Sequence, residues 1–534
     1  MPRYALLALL LPLAVRSGVA SAQSQEDRVP LWGCFERSIL HPREHANPFL
    51  DTALSGTVRT PAGRTHPIEG FFDGDRTWRL RILATEPGEW RYETRFSDGA
   101  PGLSGAFLVT TERRRGPAVH GPLRVSSQNP LWFEHADGTP VYLLAFHLWR
   151  IDALEEPVRD ATLGRLQRLG FNAIVGPHLT PDRGPWGGPP VERDFTRMNV
   201  GWWQAMDRAI EALADRGFVL IPFSILGGTN RLPKPPTPAH VDLFLRYWVA
   251  RWGGYWNVTY QPFSEWEEGW SEAEVQRIGR RIHELDGGRH LVSMHSLKSN
   301  SLTVQRAPWF GYHTVQDKLV DRDPLRYTAL AELFRQTPKP ILAHECLWEG
   351  NLYQLEAGLD VANMTRGAWA IALSGGQINY ADEVLPGRKY QTRSALGPNF
   401  SDDGSAVEPG GRLYGPLASL ARLMRTLPLP SLRPAPERAG GLPCLGGPAG
   451  AAVVFVPAGA TVRLDLSEAR GLLAVRWIAP EDGAPIRAGS VRVGATVSLE
   501  PPARRDLVLV VGRQGGRVPG GPGPRRGREG RNPT

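Results

Sequence analysis

The sequence predicts a multidomain chain: a (β/α)8 TIM barrel flanked by an N-terminal β-sandwich and a small C-terminal β-sandwich. Three observations carry that reading. Eight β-prone runs alternate with helical patterns or long connections through the middle of the chain, which is the rhythm of a barrel. Short period-two runs broken by Gly, Pro and Asp precede them, and a second such set follows a proline-rich break. A length of 534 residues, 41% hydrophobic and 22% charged, suits a globular protein with several cores.

Taken in order, residues 1–22 read as a signal peptide. Met1-Pro2-Arg3 is a positive start, Ala5 to Val15 an apolar stretch too short to span a bilayer, and Ala20-Ser21-Ala22 a cleavage site. The expectation is a secreted or periplasmic protein with no integral membrane segment. Residues 23–125 read as an Ig-like sandwich, with strands such as Trp78-Arg79-Leu80-Arg81-Ile82 between turn residues. Residues 126–430 carry the barrel, with strands expected at 140–146, 171–176, 218–223, 258–263, 291–294, 310–315, 340–343 and 377–380. Helices are expected at 160–169, 202–216, 241–252, 271–285, 323–335, 364–373 and 417–427. Residues 431–512 alternate again as a small β-sandwich. Residues 513–534 are Gly, Pro and Arg with little to bury, a disordered basic tail.

Two strands end in carboxylates. Lys339-Pro340-Ile341-Leu342-Ala343-His344 runs into Glu345, and Asn257 to Phe263 runs into Ser264-Glu265. Strand C-termini face the active-site mouth of a barrel, and a pair of carboxylates there is what glycoside hydrolysis needs. Single glutamates at such places usually open solvated loops; the pair, with Trp266 and Trp348 beside it, shifts the balance to catalysis. Glu267 and Glu268 compete with Glu265 in the same loop, and Glu265 has the more apolar neighbours. His147, His178, His295, His313, Gln316, Asn379 and Tyr380 at other strand ends suit sugar hydroxyls, with Trp149 and Glu349 completing the expected substrate-binding set. Strict alternation puts His344 and Cys346 on the face opposite Glu345, so Cys346 is expected to be packing.

A net charge of +8 raises the question of nucleic acid, but the arginines are scattered and no nucleic-acid-binding signature is present. Three cysteines far apart offer neither metal spacing nor a complete disulfide framework. No metal or organic cofactor is implied, and the expected partner is a polysaccharide or oligosaccharide. Seventeen tryptophans provide flat faces for sugar rings, although most will fill cores. The rival reading is a non-catalytic carbohydrate-binding or adhesion protein with a degenerate site.

The mature chain resembles the secreted apiosidase-like glycoside hydrolases. The likeness rests on Asn47-Pro48-Phe49, on Gly70-Phe71-Phe72-Asp73-Gly74 with Trp78, and on Pro87-Gly88-Glu89-Trp90. It continues in Asn257-Val258, Lys339-Pro340 with Glu345 and Glu349, Leu423 to Pro428, and Arg476-Trp477-Ile478-Ala479-Pro480. The resemblance implies a retaining mechanism, with Glu345 as nucleophile and Glu265 as acid/base. It also implies a C-terminal domain of the kind labelled collagen-binding. Ser264-Glu265 and Ala145-Phe146-His147 stand where that family usually has Gly-Asp and Gly-Asp-Thr.

Overall fold

The computed structural model describes residues 27–113, 119–178, 190–192, 194–228, 234–296, 302–316, 324–350, 360–382, 384 and 411–513. The expected leader and the tail beyond Arg513 lie outside them.

The N-terminal part pairs a five-stranded sheet, whose central members are Pro101–Arg113, Gly88–Phe96 and Leu54–Arg59, with a three-stranded sheet centred on Thr77–Leu83. Period two explains the layering. Along Gly88–Phe96 the buried residues are Trp90, Tyr92, Thr94 and Phe96, while Arg91, Glu93 and Arg95 face water. Trp90 and Tyr92 meet Phe35, Leu80, Ile82 and Phe107 in a core between the sheets.

The central part is a TIM-like domain. Six parallel strands lie in the order Val219–Phe223, Ala173–His178, Leu144–His147, Gly376–Asp382, Ile341–Glu349, His313–Val315. Between the two edge strands run two further stretches that meet their neighbours at isolated parallel bridges, Leu220 to Val258, Tyr260 to Val292, and Val292 to Phe310. The Leu220 N–H donates to the Asn257 carbonyl at 2.7 Å and the Ser293 N–H to the Tyr260 carbonyl at 2.8 Å. Pro262 has no N–H, which limits longer pairing after Tyr260. Around the strands pack Glu156–Arg168, Val200–Asp215, Pro238–Trp252, Glu272–Asp286, Leu330–Gln336, Val361–Leu373 and Tyr414–Met424. Local sequence sets their ends: Ser271 and Glu274 form a capping box, and Gly287 closes the same helix at φ 66°. No helix among the described residues is long and apolar enough to cross a membrane.

An ionic cluster ties the N-terminal sheets to the central domain. The fully buried Arg251 guanidinium sits 2.8 Å from both Asp73 and Asp207, and Arg81 reaches Asp207 at 2.9 Å while also binding Glu36. The C-terminal part is a six-stranded antiparallel sheet with a two-stranded ribbon, Val462–Asp465 and Thr496–Leu499. Its strand Ala452–Val456 buries both faces: Val453 and Phe455 join the core of the central domain, and Val454 and Val456 join a core shared with Leu464, Trp477 and Leu509.

Candidate active site

Four rings close the interior of the parallel sheet at its C-terminal end. They come from alternate segments: His147, Phe223, His295 and His344. The Phe223 ring centroid lies 5.2 Å from His147, 5.2 Å from His295 and 4.8 Å from His344, and His295 and His344 stand 4.5 Å apart. A layer of four side chains from alternate strands is how such interiors fill. Phe223 also packs in an apolar cluster with Ala145, Val175, Val219, Ile221 and Leu342. Trp149 and Trp348 pack over His147, with their own rings 5.7 Å apart.

Glu265 follows the bridged segment and adopts a left-handed backbone, φ 49° and ψ 56°. For a non-glycine residue this conformation is strained and tends to occur at functional sites. It turns the Glu265 N–H onto His295 Nδ1 at 3.1 Å. Nδ1 therefore accepts, and the proton of a neutral His295 ring rests on Nε2. The Glu265 carboxylate accepts from the Gln316 amide, and that of Glu267 from the Ser296 hydroxyl. Trp266 is buried, and its backbone N–H donates to the His295 carbonyl at 3.1 Å.

Glu345 lies in the strand Ile341–Glu349 and is 6% exposed. Here alternation breaks. Ala343 pairs with Ile378 and Leu347 with Tyr380, so four steps on one strand oppose two on the other. Leu342 before the bulge and His344 at its start lie with the interior residues, while Cys346 and Leu347 at its end join the outer core. His344 and Cys346 do not share a face, contrary to strict alternation, because the extra residues rotate the chain between them. Cys346 is fully buried, with Sγ 3.5 Å from the Val315 carbonyl. The interior His344 was not among the expected substrate contacts. Its inward neighbour Leu342, two residues earlier, was the signal available.

The segments bearing Glu265 and Glu345 thus meet through two rings: His295 accepts from the Glu265 N–H and lies tilted against His344, which precedes Glu345. His147, Trp149, His295 and Trp348 are linked to this layer by ring contacts and Gln316 by its bond to Glu265, whereas the Trp266 side chain joins the outer core. Other expected contacts turn outward. His313 faces the Thr337 carbonyl at 2.9 Å, and burial pulls its ring down to about 4, keeping it neutral. The Tyr380 hydroxyl donates to Glu349 at 2.7 Å, and the Arg412 and Leu413 N–H groups donate to the same carboxylate, at the start of Tyr414–Met424. Beside them is Asp382, fully buried, accepting from Tyr414 Oη at 3.0 Å. Burial, reinforced by Glu349, lifts the Asp382 carboxyl to about 6. His178 ends its strand, and its side chain lies outside the described residues.

Residues 127–380 match the family model described as Apiosidase-like, catalytic domain, and residues 28–97 match a domain of unknown function, DUF5060. No curated relative matches the chain. A provisionally assigned glycoside hydrolase from Bacteroides vulgatus ATCC 8482 shares the fold at TM-score 0.73 and 21% identity, over 91% of this chain and 99% of that one. A glycoside hydrolase family 5 structure from the same organism aligns at TM-score 0.62 and 18% identity, over 75% of this chain and 94% of that one.

Proposed function

We propose that this glycoside hydrolase, whose residues 127–380 form an apiosidase-like catalytic domain, cleaves glycosidic bonds of plant or microbial polysaccharide with retention of configuration. Glu345 attacks the anomeric carbon while Glu265 protonates the leaving oxygen; Glu265 then takes a proton from the water that releases the sugar. The observation that carries this reading is the pairing of His295 with both the Glu265 backbone and the His344 ring, which ties the two carboxylate-bearing segments together. Gln316 and His295 position Glu265, and Trp149, Trp348 and His147 offer an aromatic wall at the strand ends.

We read the parallel strands and the bridged segments together as a closed eight-stranded barrel. The run of parallel bridges from Leu220 to Phe310 supports closure. The C-terminal sheet and ribbon read as a small sandwich, and the leader as a signal for export to the periplasm or medium.

The test is a hydrolysis screen of the mature chain on plant and microbial glycans, followed by NMR of the first-formed anomer. Retention with activity abolished in Glu345→Gln supports the assignment. An inverted product, or a Glu345→Gln variant as active as the parent, overturns it.

A further inference from the structure

We propose that the N-terminal sandwich carries a divalent-cation site of the zinc class, built from His41, His45 and Asp98. Their ligating atoms lie within 4.8 Å of one another. Asp98 Oδ2 is 3.2 Å from His41 Nε2 and 3.1 Å from His45 Nε2. Tetrahedral zinc with bonds of about 2.0–2.2 Å separates its ligand atoms by roughly 3.3–3.5 Å, so both His–Asp spacings are already close to those of a bound ion.

The second observation is what holds the rings. His41 is 1% exposed and packed edge-on against Phe96, and its Nδ1 lies 2.9 Å from the Arg43 carbonyl oxygen. That contact asks for a proton on Nδ1, which leaves the Nε2 lone pair aimed at Asp98. A ligating histidine is commonly held in this way, one nitrogen on a backbone carbonyl and the other on the metal. The Arg43 N–H also approaches Nδ1, at 3.1 Å; if that bond governed instead, the proton would sit on Nε2 and the cluster would be an ordinary His–Asp pair. Asp98 Oδ1 is occupied by the Ala100 N–H at 3.0 Å, which fixes the carboxylate with Oδ2 towards the rings.

Arg43 is the competitor. Its guanidinium lies 2.7 Å from Asp98 Oδ2, yet the side chain is 58% exposed and free to swing into water when a cation takes its place. The site would pin the His41–His45 loop to the turn at Asp98. The next residues of that loop dock on the central domain, Asn47 Nδ2 donating to the Thr196 carbonyl at 3.2 Å and Arg197 to the Ala46 carbonyl. A bound ion would therefore stiffen the seam between sandwich and central domain.

The experiment uses the full mature chain, purified without a polyhistidine tag, stripped with chelator and titrated with Zn2+ by calorimetry and with Co2+ by visible absorption. About one equivalent binds saturably, cobalt gives the intense bands of a four-coordinate site, and zinc raises the melting temperature. His45→Gln and Asp98→Asn, each shown to be folded by circular dichroism, weaken binding more than about a hundredfold, and Arg43→Gln tightens it about tenfold. Absence of saturable binding to the parent, or binding unchanged in both His45→Gln and Asp98→Asn, overturns the site and leaves an ordinary His–Asp pair.

Discussion

Glu265 and Glu267 are two residues apart and both half-buried, but they differ in what holds them: the first has a left-handed backbone tied to His295, the second a carboxylate that accepts from the Ser296 hydroxyl. Glu265→Ala should slow substrates with poor leaving groups by roughly 10²–10⁴-fold, spare activated aryl glycosides in the first step, and recover turnover with azide. Glu267→Ala should do none of this; the reverse pattern would move the acid/base to Glu267. Cys346→Ser should keep most activity, since the thiol packs against Val315; loss of turnover with the fold intact would return it to the site. Asp382 gives a pH signature. Its folded pKa, raised to about 6, lies above the unfolded value near 3.8, so the folded state holds the extra proton in that window. The group's contribution is therefore most favourable below about pH 4 and is lost as pH rises through 6. Asp382→Asn should flatten the fall in melting temperature between pH 4 and 7; an unchanged profile would refute the assignment. At this scale residue type was legible and direction was not: Tyr380 and His313 are polar strand residues suited to sugars, but each faces a partner outside the layer of rings.

Among elements, helices were the more legible. Their caps are local: Ser271 with Glu274, Asn199 on the Trp202 N–H, and Asp360 on the Asn363 N–H all act within four residues. The strand Ile341–Glu349 shows the limit, because a bulge depends on its partner and leaves no mark in the apolar run. The ionic seam was equally hidden, since Asp73, Asp207 and Arg251 are separated by whole elements. Arg251→Ala should cost about 3–5 kcal/mol, because Asp73 and Asp207 would lose the buried cation that bridges them, leaving each with one partner, Arg79 or Arg81, that it already has. Denaturant unfolding measures this, and a loss below about 1 kcal/mol would mean that water or rearrangement replaces the guanidinium.

For the whole molecule, both candidate carboxylates lie in the central domain, whereas the N-terminal sheets supply Asp73, Glu36 and Arg81 to the seam. Removing residues 23 to 120 should leave turnover per folded molecule largely intact while lowering the melting temperature. A truncated chain shown to be folded but inactive would place part of the site in the sandwich.

By itself the sequence marked most strands and helices of the described residues, since periods of two and 3.6 are properties of a local stretch and of the solvent it avoids, although 258–263 and 291–294, expected as strands, meet their neighbours only at isolated bridges. Its quoted motifs also pointed to the apiosidase-like glycoside hydrolase family that residues 127–380 match. Only the tertiary structure decided which strand-end side chains face inward. It set His344 within a layer of rings, turned Glu349 to the Arg412 and Leu413 amides, and brought His41 and His45 to Asp98. Those outcomes depend on register, bulges and contacts between segments far apart in the chain, where a shift of one residue reverses a face and no local pattern records it.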